Sequence, residues 1–137
     1  MKSKLYRAGL LPYVIEDGIV KFLFMKPADA RYGGDQFQIA KGKVEEGESS
    51  EQAALREASE ELGLVPSNIG SPVFLGEFLG RTSFYVAAVK DKTAFTHPHF
   101  ETSETAWMSV SEYQNSGRML HLPIVQDAAR VVYLTTR

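Results

Sequence analysis

The order of elements along the chain predicts an α/β fold, a mixed sheet covered by helices on both faces. Three observations carry that expectation. Short apolar runs lie both before and after one strongly marked central helix. A second helix is signalled near the end of the chain. No linker, repeat or low-complexity tract divides the 137 residues. A chain of this length buries one real core and not two, so residues 1–137 are read as a single domain.

Leu5 to Ile15 is rich in apolar and aromatic residues and ends at Glu16-Asp17-Gly18, a turn signal. Val20 to Met25 follows, and the two runs read as a hairpin. Pro27, Asp29, Gly33 and Gly34 make residues 26–35 a loop. Phe37 to Ala40 is a short strand leading into Lys41-Gly42-Lys43. Ser49 with Gln52 three residues on forms a capping box, and good helix formers run from Ala53 to Leu62. Gly63 ends that helix, because glycine takes positive φ without strain. Val73 to Phe78 and Thr82 to Val89 read as two strands around Gly80, and Trp107 to Val110 as the last strand. Pro123 suits the first turn of a closing helix that runs towards Thr135.

Bulk properties narrow the function. The net charge of −2 argues against a protein that grips nucleic acid through a broad basic face. No apolar run is long enough to span a bilayer. The first residues carry lysines but no apolar stretch and cleavage site behind them, so no secretory signal is expected. The absence of cysteine excludes disulfides and thiolate metal sites and fits the reducing cytosol, the expected cytoplasmic location.

Charge distribution says more than the total. Seven of the twelve glutamates (Glu45, Glu46, Glu48, Glu51, Glu57, Glu60 and Glu61) fall in one short segment. Carboxylates at that density repel, so they are either well solvated or neutralised by a cation. On a helix, residues three and four apart share a face, so Glu57, Glu60 and Glu61 project within an arc of roughly 100°. Ala54, Leu55, Ala58 and Leu62 form a separate apolar stripe. Such a helix buries one face while offering three carboxylates to a cleft, the oxygen ligands that magnesium or manganese requires. Glu48, just before the helix, could add a fourth carboxylate or hold Arg56. Gly42 permits close approach of the loop and could let a neighbouring main-chain carbonyl face the same ion.

Arg-Glu-x-x-Glu-Glu alone is cheap at average composition and usually marks a solvated amphipathic helix. The full spacing is another matter. Gly42, five residues, Glu48, seven residues, then Arg56-Glu57-Ala58-Ser59-Glu60-Glu61-Leu62-Gly63-Leu64 resembles the Nudix box at every defining position. By chance this pattern would arise in such a chain roughly once in ten million. The resemblance implies the Nudix fold, an α/β/α sandwich with a loop-helix-loop active site. It also implies hydrolysis of a nucleoside diphosphate derivative with Mg2+ or Mn2+. By matching positions, Glu57, Glu60 and Glu61 would be metal ligands, Arg56 and Glu48 would pair to orient the site, and the carbonyl of Lys41 would be a further ligand. Non-catalytic nucleotide-binding domains of the family commonly lose box glutamates. All are present here, so an enzyme is implied and a binding module is the alternative.

A carboxylate must accept the proton of the attacking water. Glu60 in the box, and Glu101 and Glu104 shortly before Trp107, are the candidates; Glu104 is favoured because a glutamate shortly before a tryptophan resembles a recurrent family pattern. Lys41 and Lys43 flank Gly42 and are the first choices to bind phosphate, with Arg7 and Arg81 behind them. Tyr32 and Phe37 could stack on a base or simply pack. His97 and His99 lack a third ligand and read as loop residues. The expected partner is a small nucleotide, with no membrane, in a monomer or a homodimer. Lys41-Gly42-Lys43-Val44-Glu45 with Ala53-Ala54 resembles the dinucleoside polyphosphate hydrolase branch. Nucleoside triphosphates stay open, and ADP-ribose or nucleotide sugars are the alternative substrates.

Overall fold

The computed structural model describes residues 6–29, 31 and 35–136. Strands β1 (Arg7–Glu16) and β2 (Ile19–Pro27) form the expected hairpin, with Asp17 and Gly18 both at positive φ in the turn. Strand β3 (Ala40–Lys43) precedes helix α1 (Ser50–Leu62). After it come β4 (Val73–Phe78), β5 (Thr82–Ala88) and β6 (Thr102–Met108), then α2 (Val110–Ser116) and α3 (Leu122–Thr135). Among the described residues no helix is long and apolar enough to cross a membrane.

The sheet is mixed, in the order β4-β5-β1-β2-β6, and β1 is its organiser. One edge of β1 pairs parallel with β5 along Arg7 to Tyr13. Its other edge is shared: Arg7 to Leu10 pairs with β3, and Tyr13 to Glu16 with β2. The two hairpin strands therefore splay apart, and the chain from Phe37 to Lys43 is wedged between them. That wedge sets the floor of the cleft described below.

Both faces of the sheet are buried, which is why its strands read as nearly continuous apolar runs. Successive side chains alternate between faces. Leu11, Phe22, Phe24, Phe84 and Val86 pack towards Ile124, Val125, Ala128 and Val132 of α3. Leu10, Leu23, Met25, Tyr85 and Ala87 pack towards Ala53, Ala54, Ala58 and Leu62 of α1. The mixed, doubly covered sheet expected from the sequence is the one observed.

Element boundaries differ in three places. Phe37 and Gln38 make only isolated bridges, to Gly117 and Met25, so the third strand begins at Ala40. The last strand starts at Thr102, earlier than Trp107, and ends before Ser109. Ser109 caps α2 in a second capping box with Glu112, which turns the expected strand residue Val110 into a helix start. The expected strand start at Leu5 lies outside the described residues.

Candidate active site

The box helix is fixed at both ends. Ser49 Oγ accepts from the Gln52 amide at 3.0 Å and the Gln52 side chain accepts from the Ser49 amide at 2.9 Å. Gly63, at φ 76°, closes the other end. Beyond it, the last carbonyls of α1 hold the segment that leads into β6. The Thr96 amide donates to Gly63 at 2.8 Å, the His99 amide to Glu60 at 2.8 Å and the Thr102 hydroxyl to Glu61 at 2.8 Å.

Arg56 gathers the loop before the helix. Its guanidinium donates to both oxygens of Glu48 at 2.7 and 3.1 Å and to the Lys43 carbonyl at 2.9 Å. It also reaches Glu57 at 3.0 Å and Glu60 at 3.4 Å. The bidentate geometry is the strong form of this pair. Arg56 holds the Glu48 carboxylate below its ordinary range, and Glu48 in turn raises Arg56 further. The two side chains expected to pair are therefore in contact.

Glu57 and Glu61 meet under Gly42. A side-chain carbon at position 42 would fall on the Glu57 carboxylate, so the glycine is what lets the strand close over it. Glu61 Oε1 accepts the Lys41 amide at 3.2 Å. Burial, then the hydrogen-bonded Glu57 carboxylate, push the Glu61 carboxyl up to about 9. At neutral pH Glu61 therefore holds a proton. A hard divalent cation would replace that proton, so this pair and its cradle fit one. Glu60, the third carboxylate of the expected set, faces Arg56 at 3.4 Å, as Glu57 does at 3.0 Å. Among the described residues no group of three or more His, Cys, Asp or Glu side chains is gathered closely enough to hold a metal ion.

The pair faces a cleft of about 1230 Å³. Arg7, Lys41, Lys43 and Arg118 line it. Of the twelve described lysines and arginines, Lys21, Lys26, Arg31, Arg56, Lys92 and Arg130 have a carboxylate within 4.0 Å. Arg31, which also lines the cleft, is thus paired with Asp29, whereas Arg7, Lys41, Lys43 and Arg118 have no such partner among the described residues. Burial, and then the charges of Arg7 and Arg118, depress the Lys41 ammonium. Cations left unpaired beside one another mark a place for an anion.

The remaining candidates divide. Glu101 lines the cleft with Phe100, which is 88 % exposed at its rim. Glu104 does not: it is exposed on β6 and pairs with Lys26 Nζ at 3.7 Å. Phe37 is a correction. Its ring is buried in the core, with Lys26 Nζ 4.8 Å above its centroid, because the Gly117 bridge draws residue 37 inward. Tyr32 lies outside the described residues. Arg81 stands 5.5 Å over the Tyr6 ring and does not line the cleft. His97 and His99 are exposed. Phe100, Arg118 and His121 were missed by sequence reasoning. A lone arginine after Asn115-Ser116-Gly117 carries no local signal, and only the parallel bridge from Phe37 to Gly117 brings it to the cleft.

A family model described as the NUDIX domain matches residues 10–132. No curated protein sequence matches the chain. Among solved structures, a C. elegans Ap4A hydrolase in a binary complex is similar at 19% identity and TM-score 0.69, over 93% of this chain and 97% of that one. The Nudix hydrolase RenU from M. smegmatis is similar at 18% and TM-score 0.73, over 93% and 87%. The NUDIX domain of Shewanella oneidensis NrtR, complexed with ADP ribose, is similar at 17% and TM-score 0.68, over 96% and 90%. At these identities the likeness shows the fold.

Proposed function

The chain belongs to the Nudix domain family and is a pyrophosphohydrolase, and from that premise we propose that it cleaves a dinucleoside polyphosphate or a nucleoside triphosphate with the help of Mg2+ or Mn2+. The observation that carries this reading is the half-buried Glu57–Glu61 pair opening on a cleft where Arg7, Lys41, Lys43 and Arg118 have no acidic partner within 4.0 Å among the described residues. A diphosphate diester such as ADP-ribose brings fewer charges to that wall than a longer phosphate chain, which favours the polyphosphate class.

Glu57 and Glu61 would hold the cation, with Glu60 joining them on leaving Arg56. When bound, the cation neutralises phosphate oxygens and makes a water easier to deprotonate. Lys41, Lys43 and Arg7 take up the remaining phosphate charge. Arg56 keeps the loop and helix in register through Glu48 and Lys43. Glu101 is the better-placed acceptor for the water's proton, since Glu60 is tied to Arg56 and Glu104 to Lys26. Phe100 offers an exposed ring at the rim on which a base could stack.

The test is a substrate panel of dinucleoside polyphosphates, nucleoside triphosphates, ADP-ribose, nucleotide sugars and NADH, with Mg2+ or Mn2+ and product analysis. The expected result is phosphoanhydride cleavage with the highest kcat/KM on a chain of three or more phosphates. A preference for ADP-ribose would overturn the substrate class, and no turnover of any member would favour a nucleotide-binding module.

A further inference from the structure

Lys41 and Lys43 stand beside the carboxylate pair and are accounted for by the metal-assisted reading. Arg118 is not. It arrives from the connection between α2 and α3, and its main chain is tightly fixed. The Arg118 amide donates to the Phe37 carbonyl at 2.8 Å, and the Tyr113 hydroxyl donates to the carbonyls of Arg118 at 3.1 Å and Phe37 at 3.0 Å. Its guanidinium is not: among the described residues its one hydrogen bond is a long one, 3.4 Å to Gln38 Oε1. A planar donor with five N–H groups thus faces the cleft from an anchored backbone.

The surroundings sharpen the case. His121, fully buried three residues on, accepts the Ile39 amide on Nδ1 at 3.2 Å. Its Nε2 is buried with no hydrogen-bond partner among the described residues. Lys41 and Arg118 both repel any charge on this ring, and Arg7 and Arg118 both repel Lys41. Three cations and a neutral imidazole therefore meet beside the Glu57–Glu61 pair. Of the other acids lining the cleft, Asp29 is taken by Arg31 and Glu101 lies within 4.0 Å of none of the three cations. Such repulsion weakens the empty protein and is relieved when an anion arrives.

We propose that Arg118, together with Arg7 and Lys41, forms a second anion pocket that takes a substrate phosphate other than the one attacked. The proposal rests on the hydrolase reading above and deepens it: Arg118 would measure phosphate-chain length. Chains of three or more phosphates reach this pocket while the scissile pair sits at the carboxylates; a two-phosphate diester does not fill both.

Arg118→Gln and Arg118→Lys test it in the full chain. Binding of inorganic tripolyphosphate is measured by calorimetry in EDTA, and kcat/KM is measured for the best polyphosphate substrate and for ADP-ribose. Loss of a charge-assisted contact predicts weakening of about tenfold or more for tripolyphosphate in Arg118→Gln. The polyphosphate kcat/KM should fall comparably, mainly through KM, while ADP-ribose changes by less than about threefold on the same reasoning. Arg118→Lys should recover part of the loss. Equal losses on both substrates would mark a structural role and overturn the pocket, as would unchanged tripolyphosphate affinity or none in the parent. Were no substrate turned over, the hydrolase reading would fall while the tripolyphosphate measurement still decided the pocket.

Discussion

Glu61 is the residue whose ionisation the fold most strongly opposes. Its carboxyl is pushed up to about 9 by burial and by Glu57, well above its range in the unfolded chain. The folded state therefore binds a proton that the unfolded state releases, and the sign of the pH dependence follows. The stabilisation is complete below the ordinary carboxylate range and is lost as pH rises towards 9. Glu48 acts in the opposite sense, since Arg56 lowers it and its contribution disappears at acid pH. In EDTA, the melting temperature should fall between about pH 7 and pH 9; at lower pH the buried His121, which charges only in the unfolded chain, offsets the loss. Glu61→Gln should flatten that fall. Saturating Mg2+ should flatten it in the parent, because a cation replaces the Glu61 proton. A parent protein whose melting temperature rises across this interval in EDTA would contradict the protonated pair.

At the scale of elements, α1 does two jobs, and its two ends separate them. The N-terminal capping box stabilises the helix locally, whereas Gly63 also carries the segment bearing Phe100 and Glu101. A side chain at position 63 would meet the Thr96 carbonyl, and positive φ adds roughly 1 kcal/mol for a non-glycine residue. Ser49→Ala should cost about 1 kcal/mol of stability and leave kcat nearly unchanged. Gly63→Ala should cost more and lower kcat by about tenfold, a barrier increase of roughly 1.4 kcal/mol, because the Thr96 contact that positions Glu101 is displaced. Denaturant melts and steady-state kinetics on both variants decide it; equal effects on kcat would refute the assignment of the loop to the C-terminal end. The helix itself was legible because capping, propensity and carboxylate spacing are all local. Helix α2 was legible in principle through Ser109 and Glu112, yet the apolar run before it reads more readily as a strand. The inward turn of Phe37 had no local sign, since a distant bridge to Gly117 imposes it.

For the whole molecule, the sheet acts as a partition. The box and its cleft belong to the α1 side, and the α3 side contributes a packed apolar face. The fold class could be read from the chain because burial on both faces leaves continuous apolar strands around one helix. The convergence of Arg7, Lys41 and Arg118 could not, because β1, β3 and the α2–α3 connection meet only in space. Arg118 nevertheless hangs from the α3 side through His121 and Phe37, so the partition is incomplete at that one seam. This distinguishes substitutions on α3 by position. Val132 is buried in the α3-facing core, about three helical turns beyond His121. Val132→Ala removes two methyl groups and should cost about 2 kcal/mol, lowering the melting temperature by roughly 7 °C. At 25 °C the folded fraction stays high, so kcat/KM on the best panel substrate should hold within about twofold. A fall in kcat/KM well beyond the change in folded fraction would show that the far core communicates with the cleft. The sheet would then be a coupling element and not a partition.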